Sequence, residues 1–249
     1  MAGDSLGKFV KTARERAGLT QQGLADATAD HAPDGSPFSL RWVQSLEAST
    51  VPSERGIKIV AKTLGLSQWE TDYLHLLAHK APPTVIATEI PPDLPIYLEA
   101  MAPNPAAYLD AAWAVVHMNS EFERLFQGLW FAPNFIYWHY VGRRTLDIVE
   151  NWETTSSWVV SWLRYNIAAF PDNPSIVEIR DRLMPVKVFA EEWDKHVIPA
   201  DPAQLPWIIH DLDTGNVLTL DMRVWRPAGR NTGTLLLGAI RETTAPSGA

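Results

Sequence analysis

The stretch LTQQGLADATADHAPDGSPFSLRWVQSLEASTVPSERGIKIVAKTLGL, residues 19–66, decides how the first third of the chain folds. Thr20 stands where a short polar side chain caps a helix, and Leu24 and Ala25 follow at inward spacing. After a loop holding Pro33, Asp34, Gly35 and Pro37, residues Phe38 to Ala48 read as a further helix with Val43 and Leu46 inward. Thr50 to Ser53 is a turn, and Ser53 caps a helix that carries Ile57, Val60, Ala61 and Leu64 and closes at Gly65. Working outward, Ser5 caps an earlier helix with Leu6, Phe9, Val10 and Ala13 on one face. Ser67-Gln68-Trp69-Glu70 matches a capping box for a later helix through Tyr73, Leu74 and Leu77. The spacing predicts a compact all-α domain of five short helices over residues 1–80.

The string Leu19-Thr20-Gln21-Gln22-x-Leu24-Ala25, then Val43-Gln44-Ser45-Leu46-Glu47, Pro52-Ser53 and Ile59-Val60-Ala61-x-x-Leu64-Gly65-Leu66, resembles the Cro/C1-type (XRE) helix-turn-helix family, with its lambda-repressor-like fold. One departure stands out: the turn before the third helix runs from about Asp30 to Pro37, several residues longer than usual. The resemblance implies binding to double-stranded operator DNA, with the N-terminal end of the third helix in the major groove. The implied base-facing residues are Ser39, Leu40, Arg41 and Ser45, with Gln44 beside them. Gln21 would clamp a phosphate or a base edge. Arg41 is the natural reader, because a guanidinium pairs with two guanine acceptors at once. Lys8, Lys11 and Arg14 either reach the DNA backbone or pack away from it, and Trp42 packs against the long loop. Residues 1–80 hold 9 Lys+Arg against 9 Asp+Glu. That balance leaves open a helical interaction domain that keeps this core without DNA.

The chain has 249 residues, a net charge of −8, no cysteine and 11 tryptophans. Absence of cysteine excludes disulfides, thiol catalysis and thiolate metal sites. No run reaches the roughly 18 to 20 apolar residues of a membrane span. The N-terminal stretch has no apolar signal core, so a cytoplasmic location is expected. Residues 81–249 hold 12 basic against 20 acidic residues and nine of the tryptophans, unlike the first part. Between the two, Pro82, Pro83, Pro91, Pro92 and Pro95 fall in fifteen residues and exclude helix or central strand. The expected layout is a first domain at 1–80, a Pro-rich linker at 81–95, a second domain at 96–242 and a flexible tail at 243–249.

In the second domain, Ala106–Asp110 and Trp113–Met118 fit a hairpin, after a short helix from Leu94 to Met101. Asn119 or Ser120 caps a helix to Phe126. A long helix is expected from Asp147 to Ala169, on which Trp158, Trp162 and Tyr165 fall at i, i+4, i+7. Two helices, Ser175–Leu183 and Val188–His196, precede three strands, Leu205–Leu212, Val217–Trp225 and Thr234–Ile240. Leu218, Leu220, Met222 and Val224 alternate onto one face of the middle strand. This order resembles an α+β PAS-like antiparallel sheet with a helical insertion. His117-Met118-Asn119-Ser120-x-Phe122-x-x-Leu125-Phe126, Leu163-Arg164, Phe170-Pro171-Asp172-Asn173-Pro174 and Phe189-Ala190-x-x-Trp193-x-x-His196 resemble the MmyB-like ligand-binding domain, which follows an XRE helix-turn-helix in many bacterial regulators. The resemblance implies a small apolar ligand, such as a fatty acid, and no other cofactor. The candidate ligand-binding residues are Phe122, Phe126, Trp138, Trp158, Trp162, Tyr165, Arg164, Trp193 and His196. Two readings stay open for the aromatic stripe, pocket wall or plain core. Arg164 pairs with a carboxylate head group, snorkels outward or bonds Asp172. His196 reads more readily as a structural histidine.

Enzyme signatures fail. Gly3-Asp4-Ser5-Leu6-Gly7 matches G-x-S-x-G, but only two residues precede it, so the required strand cannot form. Asp211-x-Asp213-x-Gly215 starts like a calcium loop, yet its twelfth position is Met222. His75 and His79 are i, i+4 without the intervening Glu of a zinc protease, so no metal site is expected. The sequence therefore reads as a ligand-responsive, homodimeric bacterial transcription regulator without enzymatic activity. The rivals are an adaptor with no small-molecule ligand and, more remotely, an enzyme with a buried pocket.

Overall fold

The structure, a computed structural model, describes residues 5–79, 90–198, 205–225 and 233–245. The chain divides into two compact units, the first formed by Met1–Pro82 with Ile167–Pro171 and the second by Pro83–Asn166 and Asp172–Ala249. Among the described residues the first unit holds five α-helices, α1 (Leu6–Arg16), α2 (Gln21–Ala27), α3 (Leu40–Glu47), α4 (Glu54–Thr63) and α5 (Gln68–His79). Each helix starts where its cap residue dictates. Ser5, Thr20, Ser39 and Ser53 accept hydrogen bonds from the backbone N–H three residues on. Ser67 and Glu70 exchange the reciprocal pair of a capping box, at 3.2 and 2.9 Å. Ser39 takes the cap of α3 in extended backbone, so this helix begins at Leu40, two residues later than the pattern predicts. Phe38, left outside, packs on Trp42 with ring centroids 4.2 Å apart.

Phe9, Val10, Leu24, Val43, Leu46, Ile57, Val60, Tyr73 and Leu74 form the buried core of this unit. Gly7 is fixed by close approach: a Cβ there would lie 1.9 Å from the carbonyl oxygen of Glu47, at the end of α3.

The second unit is built on a five-stranded antiparallel sheet in the order β2-β1-β5-β4-β3. Its strands are β1 (Ala106–Leu109), β2 (Val115–Met118), β3 (Trp207–His210), β4 (Val217–Trp225) and β5 (Thr234–Thr244). The helices are α6 (Leu94–Glu99), α7 (Ser120–Leu125), α8 (Phe135–Val141), α9 (Thr145–Ile148), α10 (Trp152–Ala169), α11 (Pro174–Leu183) and α12 (Lys187–Asp194). Register partners share a face. Trp207 pairs with Leu220, Ile209 with Leu218, Val224 with Leu236 and Leu236 with Ala107, which makes one continuous apolar face. On the opposite face Ala106 and Tyr108 pack with Leu98 of α6, flanked by Leu235 and Leu237. β1 is therefore buried on both sides, as its unbroken apolar sequence requires.

Several expected boundaries move, each for a physical reason. The long helix does not start at Asp147. Val149 bridges Ile209, and the Asn151 side chain bonds the carbonyl of Pro206 and the N–H of Ile208. The edge strand of the sheet thus claims residues 149–151, leaving α9 as a separate turn and α10 starting at Trp152. α12 stops at Asp194, because His196 adopts left-handed backbone (φ 53°). α11 gains Pro174 in its first turn, where the missing N–H costs nothing. β3 ends before Asp211, whose carboxylate instead builds the turn to β4 around Gly215 (φ 75°). β5 reaches Thr244, so the tail expected from Thr243 is partly strand. Leu94 and Pro95, expected in the linker, open α6. The rest of that expected linker, up to Ala87, Thr88 and Glu89, lies outside the described residues. α8 was not foreseen from the pattern, although Asn134 caps it with a 3.0 Å bond from the Tyr137 N–H.

Candidate functional site

Each unit carries its own candidate. In the first, Ser39, Arg41 and Gln44 are exposed on α3 and its cap, with Leu40 and Ser45 half-buried beside them. Arg41 forms no ion pair among the described residues, so its guanidinium is free for an incoming partner. The helix beneath is held by charge. Glu47, at the end of α3, accepts from Arg14 Nε at 2.6 Å and from Gln21 Nε2 at 2.7 Å. Arg14 is buried and also donates to the Leu19 carbonyl at 2.7 Å. Burial disfavours the Glu47 carboxylate, but the bonds from Arg14 and Gln21 outweigh it and hold its pKa below the usual value. Two expectations change here. Arg14 is a structural cation locking α1 to α3, not a DNA-backbone contact. Gln21 is committed to Glu47, so it orients α3 before it touches any partner.

The long loop before α3 is also tied down. Buried Thr28 accepts from the Phe38 N–H at 2.7 Å and donates to the Ala25 carbonyl at 2.6 Å, closing the loop at its base. Asp34 and Arg55 pair across its exposed side at 3.0 Å. Trp42 rests on Phe38, just past the long loop, and a Cβ on Gly56 of α4 would meet the indole at 3.0 Å.

In the second unit the aromatic residues come together, but mostly as core. Phe122, Phe126, Trp138, Trp158 and Trp162 are at most 3% exposed and Tyr165 is 8% exposed. They interlock with Trp113, Phe135 and Trp207, which the sequence reading had not singled out. Trp113 lies 5.6 Å from Trp158 and 6.2 Å from Trp162, and Trp158 lies 5.7 Å from Trp207. Trp113 enters from the hairpin tip in left-handed backbone (φ 64°). Its N–H bonds the Asp110 carbonyl at 3.0 Å, and the Asp110 carboxylate accepts from Ala112 and Ala114. Burial raises the Asp110 pKa, and those two backbone bonds only partly oppose it. Phe135 follows the cap Asn134, a signal present in the sequence, whereas Trp207 opens a strand whose alternation is one of burial only.

Arg164 is buried and aims inward. Its guanidinium stacks over Trp193 at 4.2 Å, donates to the Trp193 carbonyl and bonds His196 Nδ1 at 3.0 Å. An arginine only donates, so His196 Nδ1 is the acceptor and its ring is neutral with the proton on Nε2. His196 thus has a structural bond, and Arg164 is buried against Trp193 and His196 rather than snorkelling to the surface. A second buried histidine, His139, stacks on Trp152 and bonds Ser156 Oγ at 3.0 Å. Ser156 spends its proton on the Trp152 carbonyl, so His139 Nε2 is the donor. Burial drives the His139 pKa down to about 3.

Two cavities of about 440 Å³ border this core. One is lined by Glu153, Ser157, Trp158 and Ser161 of α10, with Ile198, Leu205 and the paired Glu192 and Lys195 opposite. The indole N–H of Trp158 is buried without a hydrogen-bond partner. The other lies under the β1–β2 hairpin, between Asp110, Phe131, Tyr137, Ile179 and Arg182. Of the predicted ligand residues, Trp158 lines the first cavity; Arg164, Trp162 and His196 line neither. The Asp211 motif forms a turn: its carboxylate accepts from Thr214 Oγ1 at 2.7 Å and is ion-paired with Arg124, whose Nη1 lies 2.7 Å away.

Comparison with known proteins bears on the second unit. Residues 90–249 match the family described as MmyB-like transcription regulator ligand binding domain. No curated protein matches the chain. Among the described residues no helix is long and apolar enough to cross a membrane.

Proposed function

The chain belongs to the family of MmyB-like transcription regulator ligand-binding domains, and from that premise we propose that it is a ligand-responsive transcription regulator with an XRE-type helix-turn-helix. The strand order β2-β1-β5-β4-β3 supports a PAS-like reading of the second unit. The first unit binds operator DNA as part of a cytoplasmic homodimer, with α3 in the major groove. Arg41 reads a guanine, while Ser39, Leu40, Gln44 and Ser45 complete the contact surface. The observation behind this half is the exposed, unpaired Arg41 on a helix fixed by the Arg14–Glu47–Gln21 network.

The second unit takes a small, largely apolar ligand with at least one acceptor group, of which a fatty acid is an example. The supporting observation is the cavity of about 440 Å³ at Trp158, whose volume suits a small molecule. Trp158 gives the cavity an apolar wall, while Ser157 and Lys195, the latter already paired with Glu192, give it polar ones. The ligand regulates only by binding the DNA-competent and incompetent states unequally. The protein performs no catalysis of its own.

The test is twofold. Solvent extraction and mass spectrometry of the purified protein, with native and denatured masses compared, identifies a bound lipid. Selection of DNA fragments from a random pool, read against wild type and Arg41→Ala, defines the operator. A stoichiometric apolar ligand and a sequence preference lost with Arg41 support the reading. DNA binding with no ligand, even after fatty acids are added, returns the second unit to an adaptor role.

A further inference from the structure

α5 carries His75 and His79 one turn apart near its C-terminal end, and Glu54 opens α4. The sequence separates the carboxylate from the histidines by more than twenty positions, yet the fold turns all three toward one point. His75 Nδ1 lies 3.5 Å from Glu54 Oε2, and His79 Nε2 lies 3.8 Å from the same oxygen. All three donor atoms fall within 4.8 Å of one another. Around a tetrahedral ion with bonds of about 2.1 Å, donor atoms sit roughly 3.4 Å apart. The cluster is already close to that spacing, and its side chains are exposed enough to close the remainder by rotation. Lys58 pairs with the other Glu54 oxygen, Oε1, at 3.4 Å, which leaves Oε2 to the imidazoles.

We propose that Glu54, His75 and His79 form a binding site for a divalent transition-metal ion of the zinc class. Two imidazoles and one carboxylate suit Zn²⁺, Co²⁺, Ni²⁺ or Cu²⁺, and disfavour Ca²⁺ and Mg²⁺, which require oxygen ligands. The ion ties the first turn of α4 to the last turns of α5 within one unit. Its remaining coordination positions take water. The two imidazoles bind as neutral rings, so metal binding competes with protons. The site shares no residue with the ligand cavity or with α3, so it holds or fails independently of the regulator reading.

The test uses the full chain without any affinity tag, stripped with a chelator and titrated with Co²⁺. Visible absorption reports coordination, and mass spectrometry under native conditions reports stoichiometry. The expected result is one Co²⁺ per chain, displaced by Zn²⁺. His79→Ala weakens binding by about 100-fold, since even residues behind the ligands cost 10–100-fold. His75→Ala/His79→Ala abolishes it, and His117→Ala leaves it unchanged. As a check that needs no variant, Zn²⁺ should protect His75 and His79, but not His31, from carbethoxylation. Absence of bound metal in the wild type at about 100 µM Co²⁺, undiminished binding in the double variant, or equal modification with and without Zn²⁺ overturns the proposal.

Discussion

Replacing Glu47 by glutamine removes one charge from a buried network while keeping its shape, and its cost is calculable from the contacts. The Glu47 and Arg14 side chains are 8% and 9% exposed, and their closest atoms are 2.6 Å apart. Breaking such a buried pair costs about 3–5 kcal/mol when the surviving charge is left alone. Arg14 is not left wholly alone, because it keeps its bond to the Leu19 carbonyl and lies 3.7 Å from the exposed Glu15 carboxylate. The introduced amide also still offers one acceptor oxygen. The expected loss is therefore about 2 kcal/mol, below that range. That is roughly a 30-fold faster exchange of the amides protected in α1, α2 and α3, since about 1.4 kcal/mol is a factor of ten. Hydrogen-exchange mass spectrometry on the intact chain reads these peptides directly, which avoids treating two units as one transition. The sign with pH is fixed. The folded pKa of Glu47 is held below its ordinary 4.5, so its contribution is present above that value and is lost as pH falls through the folded pKa. The variant lacks this acid-linked loss. DNA affinity falls with it, because α3 loses the partner that fixes its end. Exchange within a factor of about three of wild type at neutral pH would refute the network as what positions α3.

Other outcomes follow from single contacts. Arg41→Ala should lower operator affinity by about 1–3 kcal/mol and relax one base position, read by competition with mutated sites. Asn119→Ala should destabilise the second unit by about 3 kcal/mol in urea unfolding followed by tryptophan fluorescence. Its side chain bonds the N–H groups of Ala106 and Phe122 and the carbonyls of Leu98 and Asn104, all at 3.1 Å or less. Buried His139, with a folded pKa near 3 against an unfolded value of 6.5, binds fewer protons folded than unfolded between those limits. Stability should therefore be intact above pH 6.5 and fall by about 2 kcal/mol on reaching pH 5, and His139→Phe should lose that slope. A slope unchanged in the variant would place the acid sensitivity elsewhere.

The first unit was nearly all legible, because its helices are governed by local rules. Ser5, Thr20 and Ser53 cap where the sequence places them, and the Ser67/Glu70 pair forms the reciprocal bonds its spacing implies. The second unit was legible in its strands and less so in its helices. Alternation fixed β4 to the residue, since one face is buried and a slip by one would invert it. The start of α10 was not readable, because Asn151 is claimed by Pro206 and Ile208, more than fifty residues away. The same holds at the candidate sites. That Gln21 and Arg14 converge on Glu47, or Arg164 on His196, depends on which helices pack together. Neither pairing has a signature at short range.

The aromatic stripe shows how core and pocket can be one object. A helix face with Trp158 and Trp162 a turn apart was open to both readings, and the fold divides them. Trp162 turns into the cluster around Trp113, while Trp158 is shared between that cluster and the cavity wall. Burying an indole gains apolar area but strands its N–H unless an acceptor is near, at about 1–3 kcal/mol per unpaired donor. The N–H groups of Trp113, Trp158 and Trp207 are all in that state, and the Trp158 ring touches the other two. A ligand acceptor in the cavity reaches the Trp158 N–H, which is closed off in this structure, only if the ring tilts. Any accompanying tilt of that ring is felt by Trp113 and Trp207, since interiors at packing density near about 0.75 transmit displacement rather than absorb it. A ligand at this wall therefore acts on the packing of the sheet and hairpin as well as on its own cavity. That coupling separates a sensor from a passive container, and it predicts a change in tryptophan emission on ligand binding that Trp158→Phe diminishes.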